Sequence, residues 1–198
     1  AIRNESSASE ITNCVYDSNE SLSGGGVYNN SSSPSLTDCT FTSNTALTPV
    51  IGGGGGGMYN NDGSSPSLTN CSFTENTSLW RGGGMENNNS SPVLVGCIFD
   101  GNTSPDQGGG MWSNNSVITL TDCSFTGNIS SGGAGMMIQD NCQLNMTNCS
   151  FEDNNADTGG AYRNGGGGNS VTATECTFYR NSANHNGGAI SNNNGNAD

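Results

Sequence analysis

Eight cysteines are the residues of this chain whose type and spacing most invite chemistry. Cys14, Cys39, Cys71, Cys97, Cys123, Cys149 and Cys176 lie 25, 32, 26, 26, 26 and 27 residues apart, and Cys142 stands out of phase. In an acidic chain without lysine such a set suggests disulfides. Stacked parallel strands, however, hold neighbouring Cβ atoms about 4.8 Å apart with parallel vectors, whereas a disulfide prefers about 3.8 Å and converging ones. The column is therefore expected to be buried free thiols that serve as small apolar residues. Cys142, at a turn before Cys149, is the expected exception, placed to pair locally or between chains. Metal chelation is disfavoured, because there is no C-x-x-C pair and the one histidine is His185. Polysaccharide cleavage would need paired carboxylates on one face, and Asp100, Asp122, Glu152 and Asp153 are candidates by type alone. Asp100 and Glu152 share a column but sit two coils, roughly 10 Å, apart, with nothing basic in that column. The glycine runs lack the G-K-[S/T] of a phosphate loop. No catalytic, cofactor or metal residue is expected, and the chain is read as not an enzyme.

A repeat must position these residues. Tyr16, Phe41, Phe73, Phe99, Phe125, Phe151 and Phe178 follow their cysteines by two, and Asn19, Asn44, Asn76, Asn102, Asn128, Asn154 and Asn181 follow by five. A fixed period of this size signals stacked supersecondary units. In Cys71-Ser72-Phe73-Thr74 the apolar residues alternate with polar ones, as on a half-buried strand. A second strand runs through Met58 and its counterparts Val27, Met85, Met111, Met136, Tyr162 and Ile190. A third places Leu36, Leu68, Leu94, Leu120 and Met146 inward. Leu68 and Cys71 are three apart, so a bend is expected at Asn13, Asp38, Asn70, Asp122 and Asn148, with Gly96 and Glu175 in the same column. The expectation is an all-β right-handed parallel β-helix of about seven coils of ~26 residues, three short strands per coil. Handedness follows the usual sense of parallel crossovers. The chain reads as one domain, residues 1–198, with coils starting near 1, 24, 55, 82, 108, 133 and 159 and a partial coil from 187. A long insertion, TALTPVIGGGGGG, accounts for the 32-residue spacing. The Asn column is expected to be an inward amide ladder that satisfies backbone groups at a turn.

Hydrophobic residues make up only 30% of the chain and glycine reaches 31 residues, too little apolar material for a conventional core but enough for coils that bury each other. The formal net charge of −13, with four arginines and no lysine, argues against nucleic acid and anionic membrane surfaces. No apolar run approaches the roughly 18 residues of a membrane span. Gly159-Gly160-Ala161-Tyr162 and Gly187-Gly188-Ala189-Ile190, with FTSN at Phe41, FTEN at Phe73, FDGN at Phe99 and FTGN at Phe125, resemble the GGA-I and FxxN motifs of chlamydial polymorphic outer-membrane proteins. The GGGMYN and SSPSLTNC phrases are similar to those of bacterial surface proteins with right-handed β-helix repeats. This resemblance implies an extracellular or cell-surface rod, adhesive or structural, without catalytic residues. It brings no transporter barrel or anchor with it. The chain opens and closes in mid-coil, which predicts either a segment of a longer β-helix or a subunit that stacks head to tail on itself.

Surface glycans are the other expected partner. Tyr28, Tyr59 and Trp112 belong to a column read as outward, Arg3, Tyr28, Tyr59, Glu86, Trp112, Met137, Arg163 and Ser191, where rings would stack on sugars or simply cover the sheet. Of the many N-x-[S/T] matches, Asn29, Asn30, Asn88, Asn89 and Asn114, on turns, are the expected glycosylation sites, together with hydroxyls such as Ser64 and Ser90. The competing expectation is a polysaccharide-binding or polysaccharide-degrading β-helix. A lesser one is ice binding through Thr12, Thr37, Thr69, Thr121, Thr147 and Thr174, a column broken by Val95 and flanked by one too mixed for a regular face.

Overall fold

The computed structural model describes residues 2–49 and 53–193. Residues 50–52 of the insertion and 194–198 of the last partial coil lie outside them. The chain winds as a parallel β-solenoid, and each strand pairs with its counterpart one coil away. The first sheet has eight strands, Ile2–Glu5, Val27–Asn30, Met58–Asn61, Met85–Asn88, Met111–Asn114, Met136–Ile138, Tyr162–Gly165 and Ile190–Asn193. The second has seven, Glu10–Thr12, Ser35–Thr37, Ser67–Thr69, Val93–Val95, Val117–Thr121, Gln143–Thr147 and Ser170–Thr174. The third also has seven, from Val15–Asp17 through Ser72–Thr74 to Thr177–Tyr179. A fourth, shorter ladder was not legible in the periodicity. It links Glu20–Ser21, Thr45–Ala46 and Thr77–Ser78, passes through a bridge at Thr103, and continues in Ile129–Gly132, Asn155–Thr158 and Ser182–Asn186.

Register places like on like, Leu36 beside Leu68 and Leu94, Phe73 between Phe41 and Phe99. The rings from Tyr16 to Phe178 stack face to face with centroids 4.5–5.1 Å apart. Isolated rings prefer an offset or an edge contact. Here the strand spacing holds the rings parallel, one per coil, and the five phenylalanines from Phe41 to Phe151 are fully buried. Burial of each such side chain contributes about 1.5–3 kcal/mol.

The corner between the second and third sheets is a single left-handed residue, Asn13, Asp38, Asn70, Gly96, Asp122, Asn148 and Glu175, with φ between 52° and 63°. Asn, Asp and Gly tolerate that conformation best, so the Asn/Asp column and the bend have one cause. A second left-handed corner precedes the Asn column, at Ser18, Ser43, Glu75, Gly101, Gly127, Asp153 and Arg180.

Candidate functional site

The polar columns inside the solenoid are structural ladders. Asn76 Nδ2 donates to Asn102 Oδ1 (3.0 Å) and to the carbonyl of Phe41 (2.9 Å), while its backbone N–H donates to the same Asn102 oxygen. Asn44, Asn102, Asn128 and Asn154 repeat this pattern, and Asn181 closes the run on the carbonyl of Phe151. A second amide ladder runs inside the first sheet, Asn4 to Asn29 to Asn60 to Asn87, and then to Ser113 Oγ. Asn29 is therefore no glycosylation site, since its amide is fully buried and committed on both sides. Ser64 and Ser90 are likewise buried, in a serine column with Ser32 and Ser116 whose hydroxyls cap backbone groups of neighbouring coils. Asn30, Asn88 and Asn114 are half-buried, and Asn89 is exposed at its turn.

The cysteines Cys39, Cys71, Cys97, Cys123 and Cys149 are buried and free, and Cys14 and Cys176 are partly exposed. Their thiols donate to carbonyls, as Cys39 does to Thr37 (3.3 Å). Cys142 does not pair with another cysteine. It occupies the serine column after Ser116, buried, and donates to the carbonyl of Ser113. Burial pushes the Cys39 and Cys142 thiols up. On the third sheet Glu152 and Asp153 do meet a cation, Arg180, at 3.1 and 2.5 Å, in an exposed ion pair.

The column read as outward on the first sheet is where the structure departs most from expectation. Tyr59, Glu86, Trp112 and Met137 are only 3%, 3%, 4% and 1% exposed. Tyr59 and Trp112 therefore do not offer free ring faces to glycans, and Tyr28 is half-buried under Arg3. The cause is tertiary. Alternation assigns these side chains to the outer face of the sheet, but the turns returning from the fourth ladder fold back over that face. Arg81, Gln107 and Gly132 bridge one another in parallel and form a ledge above it. Gly54 closes over Glu86 so tightly that a Cβ there would collide with Glu86 Oε2.

Under the ledge lies a cleft of about 290 Å³, lined by Trp80, Arg81, Glu86, Asn88, Trp112, Asn114, Gln139 and Asp140. The Arg81 guanidinium sits 4.7 Å from the ring centroids of both Trp80 and Trp112, and its Nε donates to Asp106 (2.8 Å). Trp112 Nε1 donates to Gln107 Oε1 at 3.2 Å. The Trp112 indole is thus fixed by cation–π contact and hydrogen bonding, and the Trp80 indole by cation–π contact. Glu86 Oε2 is buried without a hydrogen-bond partner. Burial holds this carboxyl well above the usual carboxylate range, and Arg81 only partly opposes it. Tyr59 is pushed up to about 12 by burial and by Glu86 beside it. Among the described residues no cluster of three or more His, Cys, Asp or Glu is arranged to hold a metal ion. The sequence held a signal for this site, as the two tryptophans flank the coil that starts at Gly82, and Glu86 stands between Tyr59 and Trp112 in one column.

The family model for a right-handed β-helix region matches residues 29–198. The chain belongs to the right-handed β-helix family. No curated protein and no solved structure matches it. The family fixes the sense of winding, and the cleft lies on the outer face of the first sheet of this β-helix, midway along it. No helix among the described residues is long and apolar enough to cross a membrane.

Proposed function

We propose that this β-helix is a non-enzymatic structural rod, extracellular or at a cell surface and adhesive, that lengthens by coil-on-coil stacking with further copies of itself. One observation carries the reading: each coil is self-complementary. Asn76 receives from Asn44 in the same way that it donates to Asn102, and each Phe ring stacks on one neighbour through each of its two faces. A coil edge built this way accepts another coil through bonds already present in the molecule, and a head-to-tail contact that does not close yields a filament. The surface location draws on the GGA-I and FxxN resemblance and on the acidic, lysine-free composition. Asn89, the exposed one of the five turn asparagines Asn29, Asn30, Asn88, Asn89 and Asn114, is the position expected to carry a glycan.

Electron microscopy of purified native material tests the reading. Filaments with a rise per subunit of roughly 35 Å, seven coils at the strand spacing, are expected. Monodisperse short rods at all concentrations would overturn self-assembly.

A further inference from the structure

Glu86 is 3% exposed, and its Oε2 has no hydrogen-bond partner. A Cβ at Gly54 would stand 1.8 Å from that oxygen and 2.6 Å from the carbonyl oxygen of Arg81, so the carboxyl faces the ledge acceptor to acceptor. The one guanidinium in the cleft, that of Arg81, pairs instead with Asp106 and lies against both indoles. The charged and titratable groups around Glu86 are Tyr59 from the preceding coil, Arg81 and its partner Asp106 on the ledge, and Asp140 along the cleft. Trp112 of the following coil and Gly54 carry no charge. We infer that the ledge is a two-position switch: with Glu86 protonated, Arg81 stays on Asp106 between the indoles, and when Glu86 releases its proton to solvent, Arg81 turns to it and the ledge lifts from Trp112.

Ionisation leaves a carboxylate against a carbonyl oxygen with no donor, and a buried charge without a partner must be paired or exposed. Arg81 is placed to answer. Its bond to Asp106 uses Nε alone, whereas a guanidinium carries five donors, so an ionised Glu86 competes with Asp106 for it. The Arg81–Asp106 pair is partly exposed and gives way more easily than a buried one. The ledge is joined by the single bridges Arg81–Gln107 and Gln107–Gly132, so it opens without parting a sheet. Burial holds the Glu86 carboxyl well above the usual carboxylate range against the opposing pull of Arg81, which assigns the closed position to acidic pH and the open one to higher pH. Tyr59, pushed up to about 12, stays neutral below pH 10 and does not drive the change.

Both tryptophans of the chain line the cleft, so their emission and its quenching by acrylamide read the ledge. The full chain is titrated from pH 4 to pH 10 with far-ultraviolet circular dichroism in parallel. One reversible step is expected, with the steepness of a single proton and a midpoint above the ordinary carboxylate range, across which the quenching constant rises about twofold while the circular dichroism holds. Glu86→Gln should show no step and keep the closed signal at every pH. Asp106→Asn, which releases Arg81 to Glu86, should move the midpoint down by about one unit. Gly54→Ala should be quenched at pH 4 as the parent is at pH 10, because its methyl group collides with Glu86 Oε2. No step in the parent, a step that persists in Glu86→Gln, or an Asp106→Asn midpoint that does not fall overturns the switch. So does a loss of circular dichroism in step with the fluorescence, which would mean that whole coils unfold. Should Glu86→Gln fail to fold, the Asp106→Asn midpoint decides. The result is independent of filament formation.

Discussion

Burial holds the proton on Glu86, and this sets a pH dependence that can be measured. Its folded pKa is raised above the unfolded value of about 4.3, so between the two the folded state binds more protons than the unfolded one. Stability is therefore lost as pH rises from about 4.3 towards the folded value and is level beyond it. Glu86→Gln removes the titration. The variant should match the parent near pH 4 and exceed it by about 1–3 kcal/mol at pH 8, as read from urea unfolding at several pH values. A difference that does not grow with pH would mean that the carboxyl ionises freely in the fold. At this scale the sequence was informative about columns and poor about neighbours. The Cys, Phe and Asn columns were legible because each repeats in phase. That Asn29 joins a ladder while Asn89 faces solvent depends on a pleat direction set at an irregular turn, where alternation gives no guide.

The Gly-Gly turn shows the same contrast at the scale of elements. Gly24, Gly55, Gly82, Gly108, Gly133, Gly159 and Gly187 all have φ between 57° and 66°. The two following columns, with negative φ, admit Ala134, Ala161 and Ala189 in some coils. Only the first column is glycine in every coil, because there a Cβ would be both left-handed and driven into the carbonyl three residues on, at Gly108 that of Met111. Gly108→Ala should cost more than the about 1–2 kcal/mol of a left-handed residue. Gly167→Ala, where nothing lies within 4 Å, should stay within about 0.5 kcal/mol. Urea midpoints of the two variants decide the point, and equal midpoints would refute it. Three of the strand ladders were readable from period-two alternation. The fourth was not, since Thr45–Ala46 and Thr77–Ser78 are two residues long and two residues carry no period.

Along the whole molecule each coil touches only its neighbours, so stability is close to a sum of coil and interface terms. Position within the rod should then matter more than residue type. Asn102→Ala removes the acceptor for Asn76 and the donor to Phe73 on one side and the donor to Asn128 on the other. It should cost about 2–4 kcal/mol, several hydrogen bonds in a buried setting. Asn181→Ala, at the half-buried end of the same column, should cost less than half as much, and calorimetry of the two variants tests this. Equal losses would show that the coils unfold as one body rather than as a ladder.

The sequence by itself determined the coil, its period and its inward columns, because parallel stacking repeats one local environment and selects the same residue type in each turn. It also determined the left-handed corner between the second and third sheets, because Asn, Asp and Gly occupy that conformation most cheaply, but not the second corner, which Ser18, Ser43, Glu75 and Arg180 share. Only the tertiary structure decided the fate of the outer face. Alternation tells which side of a sheet a residue occupies but not whether another segment lies over it. Trp80, Arg81, Asp106 and Gln107 come from turns outside the repeat, and they convert Glu86 and Trp112 from surface residues into the floor and wall of a cleft.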